Sequence, residues 1–176
     1  MVRQHHYATR FLRTDAKSDS RLIGRFLPYH LRPAEISDCH ILARTLRDGD
    51  RLEMTSLGVS PLQALRRAFR GAIIRRTAVI DEQIAAMWGL EGTMLGSIGY
   101  PWMLTAPPIE KIPVAFVREA RKGVWEMLQI KNRLEGYVAA DYTCACRFLE
   151  VLGFELGKPQ PKGPWGIKFR QFVLEK

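Results

Sequence analysis

Hydrophobic and polar positions repeat with two different periods along this chain, and the switches between them divide residues 25–176 into strands and helices. Phe26-Leu27-Pro28-Tyr29-His30-Leu31-Arg32-Pro33 reads as a strand that ends at a proline. Ile41, Leu42 and Leu46 then recur at helical spacing behind Ser37, an N-cap candidate, with Ile36 and Ile41 placed as a hydrophobic staple. Asp48-Gly49-Asp50 reads as the end of that helix. Ser60-Pro61-Leu62-Gln63 puts a cap, a first-turn proline and a capping-box glutamine in register, and Leu62, Leu65 and Phe69 mark the core face of the helix it starts. Arg76–Ile80 and Gln83–Gly89 flank Asp81-Glu82 as a hairpin.

Ile98–Thr105 reads as a further strand, broken by Pro107-Pro108. The longest helix runs from Glu110 or Pro113 to Ile130, with Val117, Ala120, Val124, Met127 and Leu128 on one face. Leu134–Ala140 is a strand, Thr143–Leu152 a short helix closed by Gly153, and Gly166–Leu174 the last strand. The order predicts an α+β fold, a mixed, mostly antiparallel twisted sheet flanked by helices, in one domain over residues 25–176. Trp88, Tyr100, Trp102 and Trp125 fall on these elements and read as core.

Charge changes the picture at the N-terminus. The chain carries a formal net charge of +9 over 176 residues, which favours phosphate-rich or acidic partners. Residues 1–24 lack an apolar period and hold Arg3, His5, His6, Arg10, Arg13, Lys17 and Arg21 against Asp15 and Asp19, so they read as a basic arm outside the core. A hydrophobic fraction of 47% suits a folded domain. No run approaches the roughly 20 apolar residues of a membrane span, and no apolar N-terminal stretch resembles a signal peptide, so a soluble, non-exported protein is expected. Three cysteines, Cys39, Cys144 and Cys146, point to a reducing compartment.

Candidate chemistry is sparse. Asp48, Asp50 and Glu53 could supply a base or bind an amine, though a helix terminus and solvated turn is the expected role; Glu82 is expected in solvent at its hairpin. His30, His40 and Cys39 match no metal-ligand spacing. Trp165, in the glycine-proline loop Lys162-Gly-Pro-Trp-Gly166, is a candidate partner anchor.

Two sets of motifs carry a family resemblance. Leu31-Arg32-Pro33-Ala34 at the first strand, Tyr137–Phe154 as strand, turn and helix, and its closing Leu152-Gly153-Phe154 resemble the GCN5-related N-acetyltransferase (GNAT) fold. Met87-Trp88-Gly89, Pro101–Thr105, Leu134–Val138 and Phe148–Phe154 are similar to a bacteriophage family of internal virion protein A-like proteins with a GNAT-like fold.

The resemblance to the enzymes implies a loop of backbone amides at the start of the long helix to hold the cofactor pyrophosphate. The matching Glu110-Lys-Ile-Pro-Val-Ala115 has no glycine, adds a carboxylate and places a proline; Lys111 is the one cation there. The family's tyrosine acid falls on Leu149, with Tyr142 as a displaced candidate, and Pro101 deletes an N–H from the strand that would pair with the pantetheine arm, with a bulge expected.

The resemblances and departures together imply a phage structural or virion-assembly protein. It would use a degenerate, non-catalytic GNAT fold without cofactor, located in the virion and in host cytoplasm during assembly. Its partners would be other virion proteins of the portal, connector or internal core, in a multi-subunit assembly and away from membrane, contacted through Arg3, Arg10, Arg13, Lys17, Arg21 and Trp165. The alternative is an acetyl-CoA-dependent N-acetyltransferase with an atypical loop, binding cofactor through Met103, Leu104, Thr105 and Lys111. Non-specific DNA contact through the arm and Arg66, Arg67, Arg70, Arg75 and Arg76 is a third expectation.

Overall fold

The computed structural model describes residues 29–176. The basic arm, with Arg3, Arg10, Arg13, Lys17 and Arg21, and the Phe26–Pro28 start of the first strand lie outside the described residues. In chain order the elements are β1 (Tyr29–Pro33), α1 (Ile36–Thr45), α2 (Asp48–Ser56), α3 (Pro61–Gly71), β2 (Ala72–Ile80) and β3 (Gln83–Glu91). Then follow β4 (Ile98–Thr105), a 3-10 turn (Pro107–Lys111), α4 (Pro113–Ile130), β5 (Arg133–Ala139) and α5 (Thr143–Val151). Strands β6 (Glu155–Leu156), β7 (Gln160–Lys162) and β8 (Ile167–Glu175) complete the described chain.

The described strands form one sheet in the order β1-β2-β3-β4-β5-β8-β6, with β7 also paired to β8. Every neighbouring pair is antiparallel except β4 and β5. Asp81 and Glu82 both take positive φ, 49° and 60°, and so make the two-residue turn whose twist suits a hairpin. Ser60 caps α3 through the Gln63 amide, with Pro61 in the first turn, as the spacing predicts.

Other local expectations are corrected. Glu35, not Ser37, is the N-cap of α1, and Asp38 accepts its amide at 2.8 Å; Ile36 and Ile41 are about half exposed, so no staple forms. Asp48–Asp50 opens a new helix, where acidic first-turn residues meet the positive end of the helix dipole. Tyr100 and Trp125 are exposed, by 48% and 64%, whereas Trp88 and Trp102 pack against the core.

Buried hydrophobic clusters lie on both faces of the sheet, a smaller one around Ile80, Ala86 and Ile109 beside the two that hold the helices. Leu42 of α1, Leu65 of α3 and Met87 and Leu104 of the sheet bury one face. Met127 of α4, Leu134 and Val138 of β5, and Phe154 and Phe172 bury the other, the last two meeting edge to face at 5.2 Å. Each fully buried leucine-sized side chain contributes about 1.5–3 kcal/mol, so both helical layers are held firmly to the sheet.

The break in this sheet positions the site. β4 and β5 pair only through Ile98 with Arg133 and Gly99 with Leu134, then diverge. Ala106 N–H bonds Ala85 O, which fixes the even residues of β4 toward β3 and turns the backbone of Pro101, Met103 and Thr105 into the gap. On the other side, Ala140 N–H bonds Lys168 O, so Tyr137 and Ala139 turn their amides into the same gap. Pro101 sits in continuous register with Leu90; its missing N–H falls on the gap side, where no ladder partner is needed, and the expected bulge is absent.

Candidate active site between the diverging strands

Helix α2 closes one end of the gap. Asp50 and Glu53 are three residues apart and so share a face of α2. The Thr105 hydroxyl at the end of β4 donates to Asp50 Oδ2 at 2.6 Å, and the Ala139 amide at the end of β5 donates to Glu53 Oε1 at 2.6 Å. The Arg47 amide, just before α2, donates to Thr105 O at 3.0 Å. A helix thus supplies acceptors and a donor that the parted strands no longer supply each other.

Burial raises the Asp50 carboxyl above its usual range, against the Thr105 hydroxyl and the Arg47 charge. Glu53 is pushed up to about 7, first by burial and then by the charge of Asp50; the single Ala139 amide offsets only part of this. Tyr142, at the N-cap of α5, lies against the same group. Burial and the Asp50 charge push its phenol up to about 12, so it stays a neutral donor at working pH. A Cβ on Gly49 would run into the Tyr142 ring, and the glycine is what lets the ring lie over the start of α2.

The Arg47 guanidinium links this cluster to its surroundings. Its Nε lies 3.3 Å from Glu110 Oε1, and a terminal nitrogen lies 3.9 Å from Cys144 Sγ. Behind the cluster a cavity of about 640 Å³ continues between the strands and under α4 and α5. Met103, Phe116, Val117, Ala120, Phe148 and Leu149 are among its walls, and Phe116 stacks on Phe148 with ring centroids 4.8 Å apart. On the other face of the sheet the cavity meets Trp102, Ala64 and Ala68.

The loop from β4 to α4 is built differently from the phosphate cradle that the GNAT resemblance implies. Pro107, Pro108 and Pro113 have no amide hydrogen; the amides of Ala106, Ile109, Ile112 and Phe116 are spent within the protein. Val114 and Ala115 retain free first-turn amides. Lys111 is paired with Asp81 at 2.8 Å, at the β2–β3 hairpin, and Glu110 with Arg47.

Of the residues singled out as cofactor ligands, Met103 turns backbone and Thr105 turns both backbone and hydroxyl to the gap. Leu104 instead faces the α1–α3 core with its backbone paired to β3, and Lys111 lies outside. Trp165 is 69% exposed, and Lys162 from the same hairpin sits 3.3 Å over the Tyr137 ring. Glu82 is exposed, as its hairpin position predicts, and His40 meets Arg66 at 2.8 Å.

Asp50 and Glu53 are the site residues that pattern reasoning set aside as a solvated turn. Helix α2 inverts the usual arrangement: Asp50 is buried while Leu52 is 68% exposed. The available signal was the pair of acids three apart beside a glycine, not any apolar period.

No protein-family model matches the chain, and no curated relative matches it in sequence. Solved structures match its fold. A GNAT-family acetyltransferase from Bacillus anthracis superposes with a TM-score of 0.62 at 10% identity, over 84% of this chain and 94% of that one. Spermidine N-acetyltransferase from Vibrio cholerae, in complex with CoA and spermine, gives 0.58 at 16% identity over 84% and 95%. The microcin C7 self-immunity acetyltransferase MccE, in complex with acetyl-CoA and AMP, gives 0.62 at 10% over 84% and 92%. The fold is GNAT-like. These likenesses overturn the expectation of a non-catalytic, cofactor-free virion-assembly protein: the matched folds are those of acetyltransferases, two of them holding acetyl-CoA or CoA.

Proposed function

We propose that the protein is a GNAT-type N-acyltransferase that moves an acyl group, acetyl in the simplest case, from a pantetheine thioester to an amine. The observation that carries this is Glu53, a carboxyl held near pKa 7 at the mouth of the gap between two diverging parallel strands. Most primary amines are protonated at neutral pH and cannot attack a carbonyl until they lose a proton. A carboxyl titrating near 7 is the type of base that can remove it.

In the step itself the amine lone pair adds to the thioester carbonyl carbon, forming the C–N bond, and the C–S bond breaks. The proton lost by nitrogen passes to Glu53. The sulfur leaves with the electron pair of the broken bond, and the neutral Tyr142 hydroxyl is the donor placed to hydrogen-bond or protonate it. Asp50, buried beside both, raises Glu53 and Tyr142 together. The Met103 amide on β4 and the Tyr137 amide on β5 are ladder groups left without a strand partner, and they suit the amides of a pantetheine arm lying between them. Holding amine and thioester together supplies the rest of the rate.

The test is thioester turnover. Acetyl-CoA is mixed with the protein and separately with spermidine, an aminoglycoside and short peptide amines, and free thiol and N-acetylated product are measured. Amine-dependent thiol release that disappears in Glu53→Gln is expected. Absence of release with every amine from folded protein, with S-acetyl-pantetheine as donor as well as with acetyl-CoA, contradicts the proposal.

A further inference from the structure

We infer that the thioester arm reaches this cleft on an acidic carrier protein, not on a nucleotide. This rests on the acyl-transfer reading above and names the form of its donor. The two halves of a CoA-type site have parted company in this molecule. The half that takes a pantetheine arm is intact: an apolar channel between α4 and α5, with unpaired backbone groups of β4 and β5 along it. The half that takes a diphosphate is not. Three prolines replace donors, four amides of the segment are spent internally, and the lysine of the loop is bound to Asp81. Glu110 adds a carboxylate to the loop, where it pairs with Arg47 at 3.3 Å.

An arm without its diphosphate anchor needs binding energy from elsewhere, and the surface beside the channel has the chemistry for it. Val117 of α4 and Phe148 of α5 line the channel, and their chain neighbours Arg118 and Arg147 are both exposed. On α4 and α5 the cations Arg118, Arg121, Lys122 and Arg147 stand against Glu119, Glu126 and Glu150; Arg118 and Lys122 share Glu119, at 3.8 and 2.9 Å, and Arg147 has no ion pair among the described residues. Val114, 80% exposed at the first turn of α4, offers an apolar contact one turn before Arg118. A carrier with an acidic face around its phosphopantetheine serine meets the charge, presents one phosphate instead of two, and leaves the prolines unchallenged.

The experiment compares binding of three forms of the same arm to the full chain by calorimetry: pantetheine, CoA, and a holo acyl carrier protein with its apo form as control. The expected result is CoA within about threefold of pantetheine, because the nucleotide adds little, and holo-carrier at least tenfold tighter than either. The double variant Arg118→Glu/Arg147→Glu is expected to lose that tenfold while binding pantetheine unchanged, which also shows that it is folded. CoA binding 30-fold or more tighter than pantetheine overturns the inference, since the diphosphate is then read after all; so does a holo-carrier no tighter than pantetheine. Failure of all three arms to bind removes the acyl-transfer reading itself, and the inference with it.

Discussion

Asp38 and Glu53 are acids of consecutive helices, both drawn into the protein, and they titrate in opposite directions. Asp38 is 2% exposed, yet Arg32 donates to its two oxygens at 2.7 Å each, and Thr77 and the Glu35 amide add donors at 2.8 Å. Burial pushes its carboxyl up, but the Arg32 guanidinium and the other donors outweigh that and hold it below the usual range. Glu53 receives one amide and has Asp50 for a neighbour, so burial wins and it rises to about 7. The same residue chemistry thus becomes a structural clamp where donors are complete and a proton acceptor where they are short. The clamp fixes β1, α1 and β2 to one another; the under-supplied acid sits where the sheet opens.

The contrast breaks first at Glu53. Glu53→Gln keeps an acceptor for the Ala139 amide but cannot take a proton, and it is expected to lower kcat by about 10²–10³ with donor affinity unchanged, in steady-state and binding measurements. At Asp38 the effect falls on stability: Asp38→Asn faces an amide toward Arg32 and leaves that guanidinium without a counter-charge, costing about 2–4 kcal/mol in chemical denaturation. The two acids also differ in sign against pH. The Asp38 carboxyl is lowered in the folded state, so its stabilisation is present above its unfolded value and is lost in acid as pH falls through the folded value.

Glu53 is raised, so its contribution is complete below about pH 4.5 and declines as pH climbs from there to about 7. Denaturation of Glu53→Gln is therefore expected to show a gain of about 1–3 kcal/mol over the parent at pH 8 that vanishes near pH 4. A smaller effect should follow at Gly49. Gly49→Ala pushes the Tyr142 ring off the start of α2, and about tenfold of kcat should go with it, as in Tyr142→Phe; a Gly49→Ala variant with full kcat would remove Tyr142 from the account.

Much of the frame around these acids was legible in the residues, and the acids themselves were not. Ser60-Pro61-Gln63 and Asp81-Glu82 carry their local geometry with them, so the start of α3 and the β2–β3 hairpin follow from sequence. Ile98–Thr105 and the helix ending at Ile130 follow from period. Helix α2 does not, because its one buried residue is Asp50 while Leu52 is exposed, and Gly49 looks like a stop until Tyr142 is seen lying on it. Asp50 and Glu53 acquire their environment from Thr105 and Ala139, 55 and 86 residues away in the chain. Separations of that length leave no periodic trace. The departures around Glu110–Ala115 and Leu149 are visible in the residues themselves, whereas the Asp50 and Glu53 cluster exists only once α2 has folded against the ends of β4 and β5.

The most direct test of Glu53 as the base is the pH dependence of kcat/KM for amine acetylation between pH 5 and 9, in the parent and in Glu53→Gln. The parent is expected to show an acid limb with a midpoint near 7, and the variant to lose that limb together with most of the rate. A parent limb near 4.5, or a variant that retains both rate and limb, would contradict that role for Glu53.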